Sequence, residues 1–65
     1  MRITVNGVEQ ELAAETLAAA LKALEYENAT VATALNGHFV PARKRVEAKI
    51  AEGDRIEIVA PRQGG

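Results

Sequence analysis

Arg2-Ile3-Thr4-Val5-Asn6-Gly7-Val8-Glu9-Gln10-Glu11-Leu12 is two short runs around an Asn-Gly pair, and its reading decides the fold. The first run alternates polar and apolar residues, the period of a half-buried strand. Asn-Gly suits a type I′ turn, whose two central residues both need positive φ. A two-residue loop fixes the register. Val5 then faces Val8, Ile3 faces Gln10, Arg2 faces Glu11 and Met1 faces Leu12. Ile3, Val5, Val8 and Leu12 are expected on one face, with an Arg2–Glu11 ion pair available on the other.

Working outward, Thr16 is placed to cap a helix, its hydroxyl accepting from a free backbone N–H of the first turn. Leu17, Ala20, Leu21 and Leu24 recur at i, i+3, i+4 and i+7, one apolar stripe. The surrounding alanines favour helix, which is expected to fade near Glu25. A second strand region, Thr30 to Leu35, meets a second Asn-Gly at Asn36-Gly37, and His38-Phe39-Val40 returns. The same turn logic pairs Leu35 with His38, Ala34 with Phe39 and Thr33 with Val40. Pro41 has no N–H to donate, so that strand is short and lies at an edge. Ala42 to Ala51 reads as irregular, with a helical turn around Val46 to Ile50. Glu52-Gly53-Asp54 is a turn, and Arg55-Ile56-Glu57-Ile58-Val59 is the cleanest strand, with Ile56 and Ile58 inward. The order predicts an α+β layer pair: a mixed sheet of four to five strands with one helix across one face. The first and last strands are expected to be central and parallel, with the helix as crossover.

Residues 1–60 read as one domain and 61–65 as a flexible C-terminal tail ending in Gly-Gly. A chain of 65 residues buries only about 60% of its unfolded surface, so its core is small. It has no cysteine, hence no disulfide, thiolate nucleophile or cysteine zinc site. Nothing approaches an apolar run of roughly 20 residues that could span a membrane, and the N-terminus lacks a signal peptide's apolar core. The expectation is a cytoplasmic protein, monomeric when free. Net charge is −1, which argues against nucleic-acid binding. The charge is uneven: residues 1–30 hold two basic and five acidic side chains, residues 31–65 six and four. The tail thus leaves from the basic half, which suits an acidic partner or a nucleotide phosphate.

The catalytic inventory is nearly empty, and the chain is not read as an enzyme. One histidine cannot build a metal site, and no glycine-rich phosphate loop is present. Glu9 and Glu11 read as a solvated edge, and His38 as structural. Arg43-Lys44-Arg45 reads as a solvated loop or a partner contact. What remains is the tail. A carboxylate resists acyl transfer until its oxygen becomes a leaving group; adenylation with ATP does that, and a sulfur or nitrogen nucleophile can then take the acyl group. Such chemistry needs another protein's active site. Glycines, lacking Cβ, let backbone pass a narrow cleft, so Gly64 gives reach and Gly65 the reacting carboxylate. Ala34, Phe39 and Val59 should project away from the helix and form a compact apolar docking patch. The alternative places Phe39, the only phenylalanine, in the core.

These residues resemble a family. Asn6-Gly7, Thr16 opening an apolar helix, Ala32-Thr33-Ala34-Leu35-Asn36-Gly37, Val40-Pro41, Gly53 through Val59 and the closing Gln63-Gly64-Gly65 look like the sulfur-carrier proteins of thiamine biosynthesis. The resemblance covers essentially the whole chain. It implies a ubiquitin-like β-grasp fold and a cycle run by partners. A ubiquitin-activating-type adenylyltransferase uses ATP to adenylate Gly65, a persulfide protein donates sulfur to give a thiocarboxylate, and thiazole synthase takes that sulfur. Arg62, Gln63 and Gly64 would thread the partners' clefts, and no cofactor is bound by the chain itself. Relatives often carry Glu where this chain has Ala19, and an aromatic residue near Arg45 or Val46. The nearest alternatives are the small sulfur-carrying subunit of molybdopterin synthase, a lysine-conjugated modifier, and a β-grasp interaction module with an inert tail.

Overall fold

The computed structural model describes residues 1–60. β1 (Arg2–Val5) and β2 (Val8–Glu11) form the first hairpin in the expected register, Val5 opposite Val8 through Arg2 opposite Glu11. Asn6 at φ 51° and Gly7 at φ 83° take the two positive-φ positions of the turn. The helix α1 spans Leu17–Ala23; β3 (Ala32–Leu35) and β4 (His38–Val40) form the second hairpin; β5 covers Arg55–Val59. The sheet has five strands in the order β2-β1-β5-β3-β4. Its mixed character comes from β1 and β5, which run parallel, while β3 is antiparallel to β5. The helix joins edge strand β2 to β3, and so passes over β1 and β5 instead of linking those two directly.

One face of this sheet carries the core. Ile3 and Val5 from β1, Ile56 and Ile58 from β5, and Leu17, Ala20 and Leu21 from α1 are all buried, with Ile50 closing one end. Burying each large aliphatic side chain contributes about 1.5–3 kcal/mol, so a handful of them supplies most of the driving force of so small a domain. Val8 departs from expectation: it lies on the core side of β2 by register, yet it is 61% exposed. It sits at the turn end of an edge strand, while the buried side chains of the seven-residue helix join a core drawn from β1 and β5. The expected Arg2–Glu11 pair also gives way. Arg2 reaches diagonally to Glu9 at 3.9 Å, and Glu11 takes the N-terminal amine at 3.3 Å.

Both ends of α1 are closed by identifiable groups. Thr16 Oγ1 accepts from Ala19 N–H at 3.1 Å, the expected cap. The N–H groups of Leu17 and Ala18 have no partner inside the helix, and they donate to the carbonyls of Ala48 (2.8 Å) and Arg45 (3.1 Å). Residues 45–50 therefore run as a strap along the helix start, pinned by an antiparallel bridge between Thr16 and Lys49. The helical turn expected around Val46 to Ile50 forms slightly earlier: the N–H of Ala48 donates to Lys44 O at 3.1 Å, and the bridge at Lys49 ends it. A 3₁₀ turn at Ala42–Lys44 leads into it, and Pro41 at φ −65° presets the entry. The later residues then supply carbonyls to the helix, and Val46 is left 67% exposed. At the other end Glu25 takes φ 68°. Its N–H donates to Lys22 O (3.0 Å) and that of Tyr26 to Leu21 O (2.8 Å), the paired bonds of a Schellman cap made with glutamate instead of glycine.

Candidate functional site

The site is built around the C-terminal end of β5, the strand that leads into the tail. Along β5 the side chains alternate, Ile56 and Ile58 into the core and Arg55, Glu57 and Val59 to the opposite face. Pairing across the sheet sets Val59 opposite Ala32, and Ala34 between Glu57 and Phe39. Ala34, Phe39 and Val59 are thereby gathered on the face away from α1. Phe39 is 70% exposed and Val59 63%, so the single phenylalanine is not a core residue. With Asn6, Gly7 and Ala32 they border an open depression of about 580 Å³. Arg62, Gln63, Gly64 and Gly65 lie outside the described residues.

The polar residues divide into surface groups and fasteners. His38, Glu9 and Glu11 are exposed, as are Arg43 and Lys44. Arg45 is not the solvated loop cation that one reading expected. Its guanidinium turns inward, donating from Nη2 to Val31 O (2.6 Å) and from Nε to Thr33 Oγ1 (3.0 Å). The Thr33 hydroxyl in turn donates to Val40 O at 2.9 Å, which satisfies the buried polar side chain among the core residues. Among the described residues no three His, Cys, Asp or Glu side chains gather as metal ligands, and no helix is long and apolar enough to cross a membrane.

Two fasteners escape a reading of the sequence by turn type alone. Asn6 and Asn36 begin their hairpin turns, both at φ 51°, and both also bind β5 through their side chains. Asn6 Nδ2 donates to Ile58 O (3.0 Å), and Ile58 N–H donates to Asn6 Oδ1 (2.8 Å). At the opposite end of the strand, Arg55 N–H donates to Asn36 Oδ1 (2.9 Å), and Asn36 Nδ2 donates to Asp54 Oδ1 (3.1 Å). The available signal was the use of asparagine at both turns, since glycine or aspartate also serves there.

A five-stranded mixed sheet in this order, with one helix laid across a single face, defines a small α+β protein of the β-grasp, ubiquitin-like class. The crystal structure of the thiamine biosynthesis protein ThiS from Geobacter metallireducens superposes on it with a TM-score of 0.79, at 30% identity over 100% of both chains. The ThiS family model matches residues 3–65. The chain belongs to the ThiS family, the ubiquitin-like sulfur carriers of thiamine biosynthesis. No curated protein sequence matches it.

Proposed function

We propose that the chain carries sulfur as a thiocarboxylate on Gly65 and is itself a co-substrate, not a catalyst. The carboxylate of Gly65 attacks the α-phosphate of ATP in a ubiquitin-activating-type adenylyltransferase, forming an acyl adenylate and releasing pyrophosphate. The terminal sulfur of a partner's persulfide then attacks the acyl carbon and AMP departs. A second thiol cleaves the resulting acyl disulfide at the donor's sulfur, leaving the thiocarboxylate and a disulfide on the donor side. Thiazole synthase takes the sulfur for the thiazole ring. The compartment of this cycle is the cytoplasm.

The observation that carries this reading is the family match, which runs through Gln63-Gly64-Gly65 to residue 65. The geometry adds its support: β5 is the strand that leads into the tail, and Ala34, Phe39 and Val59 lie exposed or half-exposed beside its end. Residues 1–60 thus serve as the docking body and 61–65 as the part that enters a partner, with Arg62, Gln63 and Gly64 threading the partner's cleft. A chain lacking Gly64-Gly65 tests the assignment. It should fold as the full chain does and lose all ATP-dependent acylation. Retained function in the truncated chain would point to an inert tail, and a lysine isopeptide adduct of the full chain in cells to a modifier.

A further inference from the structure

We propose that Asn6 is a positioning residue for the reaction at the C-terminus, fixing where the tail leaves the sheet. The inference rests on the function proposed above. The β1–β5 pairing ends at Val5 opposite Ile56, because β1 turns away at Asn6-Gly7. The backbone of Asn6 still donates to Ile56 O at 2.9 Å. Beyond that point β5 has no β1 residue beside it. The Asn6 carboxamide fills the place, offering one donor and one acceptor to Ile58 as a strand residue would. On the other side Ile58 and Val59 face Thr33 and Ala32 of β3. The last turn of the ladder before Ala60 is therefore held from two sides, and among the described residues Asn6 is the whole of one side.

The consequence is kinetic. Seven residues follow Ile58, a reach of at most about 25 Å when extended. A partner that grips the sheet face and reacts at Gly65 needs that short reach to start from a fixed point and direction. If β5 frays at Ile58, the exit gains freedom, and the fraction of bound chains with Gly65 at the reacting phosphate falls. Loss of alignment of this kind lowers turnover and leaves docking intact.

The second turn supplies an internal control. Asn36 has the same φ, starts the same kind of turn, and also fastens β5, but at Arg55, the end away from the tail. Asn6→Gly and Asn36→Gly each keep positive φ accessible and each remove one fastener. The full-length chains are compared in steady-state adenylation by a thiamine-pathway adenylyltransferase, read as pyrophosphate release, and by amide exchange at Ile58. Asn6→Gly should lower kcat on the order of tenfold with KM within about twofold, while Asn36→Gly stays near the original chain. Exchange of the Ile58 amide should quicken by on the order of tenfold in Asn6→Gly alone. Asn6→Asp keeps the acceptor for Ile58 N–H but sets a carboxylate oxygen against Ile58 O, so its kcat should also fall below that of the original chain, which covers the case of a poorly folded glycine variant. Equal kcat losses in both glycine variants, or full turnover with a fast Ile58 amide, would overturn the positioning role alone. Failure of the unsubstituted chain to be adenylated would remove the proposed function, and the positioning role with it.

Discussion

Glu25 and Arg45 are the residues whose side-chain types fit their surroundings in the least obvious ways. Glu25 closes α1 in the left-handed region at φ 68°, where any Cβ is crowded by about 1–2 kcal/mol. Glycine removes that strain but is more mobile in the unfolded chain, a cost of about 0.5–1 kcal/mol. Glu25→Gly should therefore stabilise the domain by about 0.5–1 kcal/mol, seen as a higher urea midpoint with unchanged slope; a lower midpoint would refute the strain argument. Arg45 joins Val31, Thr33 and, through its carbonyl, Ala18. Arg45→Ala leaves the Val31 carbonyl without this donor and should cost about 1–3 kcal/mol. Arg45→Lys should recover little of it, because an ammonium cannot present two donors in the guanidinium's planar fork. Full recovery in the lysine variant would show that charge alone matters there.

At the scale of elements, β5 organises the molecule and shows what a sequence can and cannot disclose. Both hairpins, their registers and the alternation of β5 were legible because a two-residue turn and a period of two are local properties. The outward direction of Ala34, Phe39 and Val59 followed from those registers. What was not legible depends on partners far along the chain. The amide of Asn6 meets Ile58 across 52 positions, Asn36 meets Arg55 across 19, and Arg45 meets Val31 across 14. The strap at residues 45–50 was missed for the same reason: its carbonyls answer the needs of a helix start nearly thirty positions earlier. Phe39 gives the element-scale prediction. Since β4 is an edge strand and the ring stands in solvent, Phe39→Ala should change stability by no more than about 0.5 kcal/mol. It should instead raise KM for the activating partner, with the fold intact by circular dichroism. A multi-kcal loss of stability would return Phe39 to the core and remove the docking role.

For the whole molecule, the two faces of one sheet differ in kind. The helix-covered face holds the fold together through a single small cluster, and the opposite face leaves Phe39 and Val59 exposed. At 65 residues total stability is expected at roughly 3–10 kcal/mol. Ile56, 1% exposed beside Leu17 and Ile3 in that cluster, has no slack: Ile56→Ala should cost about 2–5 kcal/mol, a large share of that total, and lower the thermal midpoint. A thermal midpoint unchanged by that substitution would contradict the account of the core. The absence of cysteine fits the proposed chemistry, in which an activated terminus would meet no thiol of its own chain.

The central claim is that Gly65 carries the sulfur. Its most direct test is the intact mass of the chain before and after incubation with ATP, a thiamine-pathway adenylyltransferase and a persulfide donor. The account predicts a gain equal to one oxygen replaced by sulfur, mapped to the C-terminal peptide and absent without ATP. An unchanged mass, with both partners shown to be active on another carrier, would contradict it.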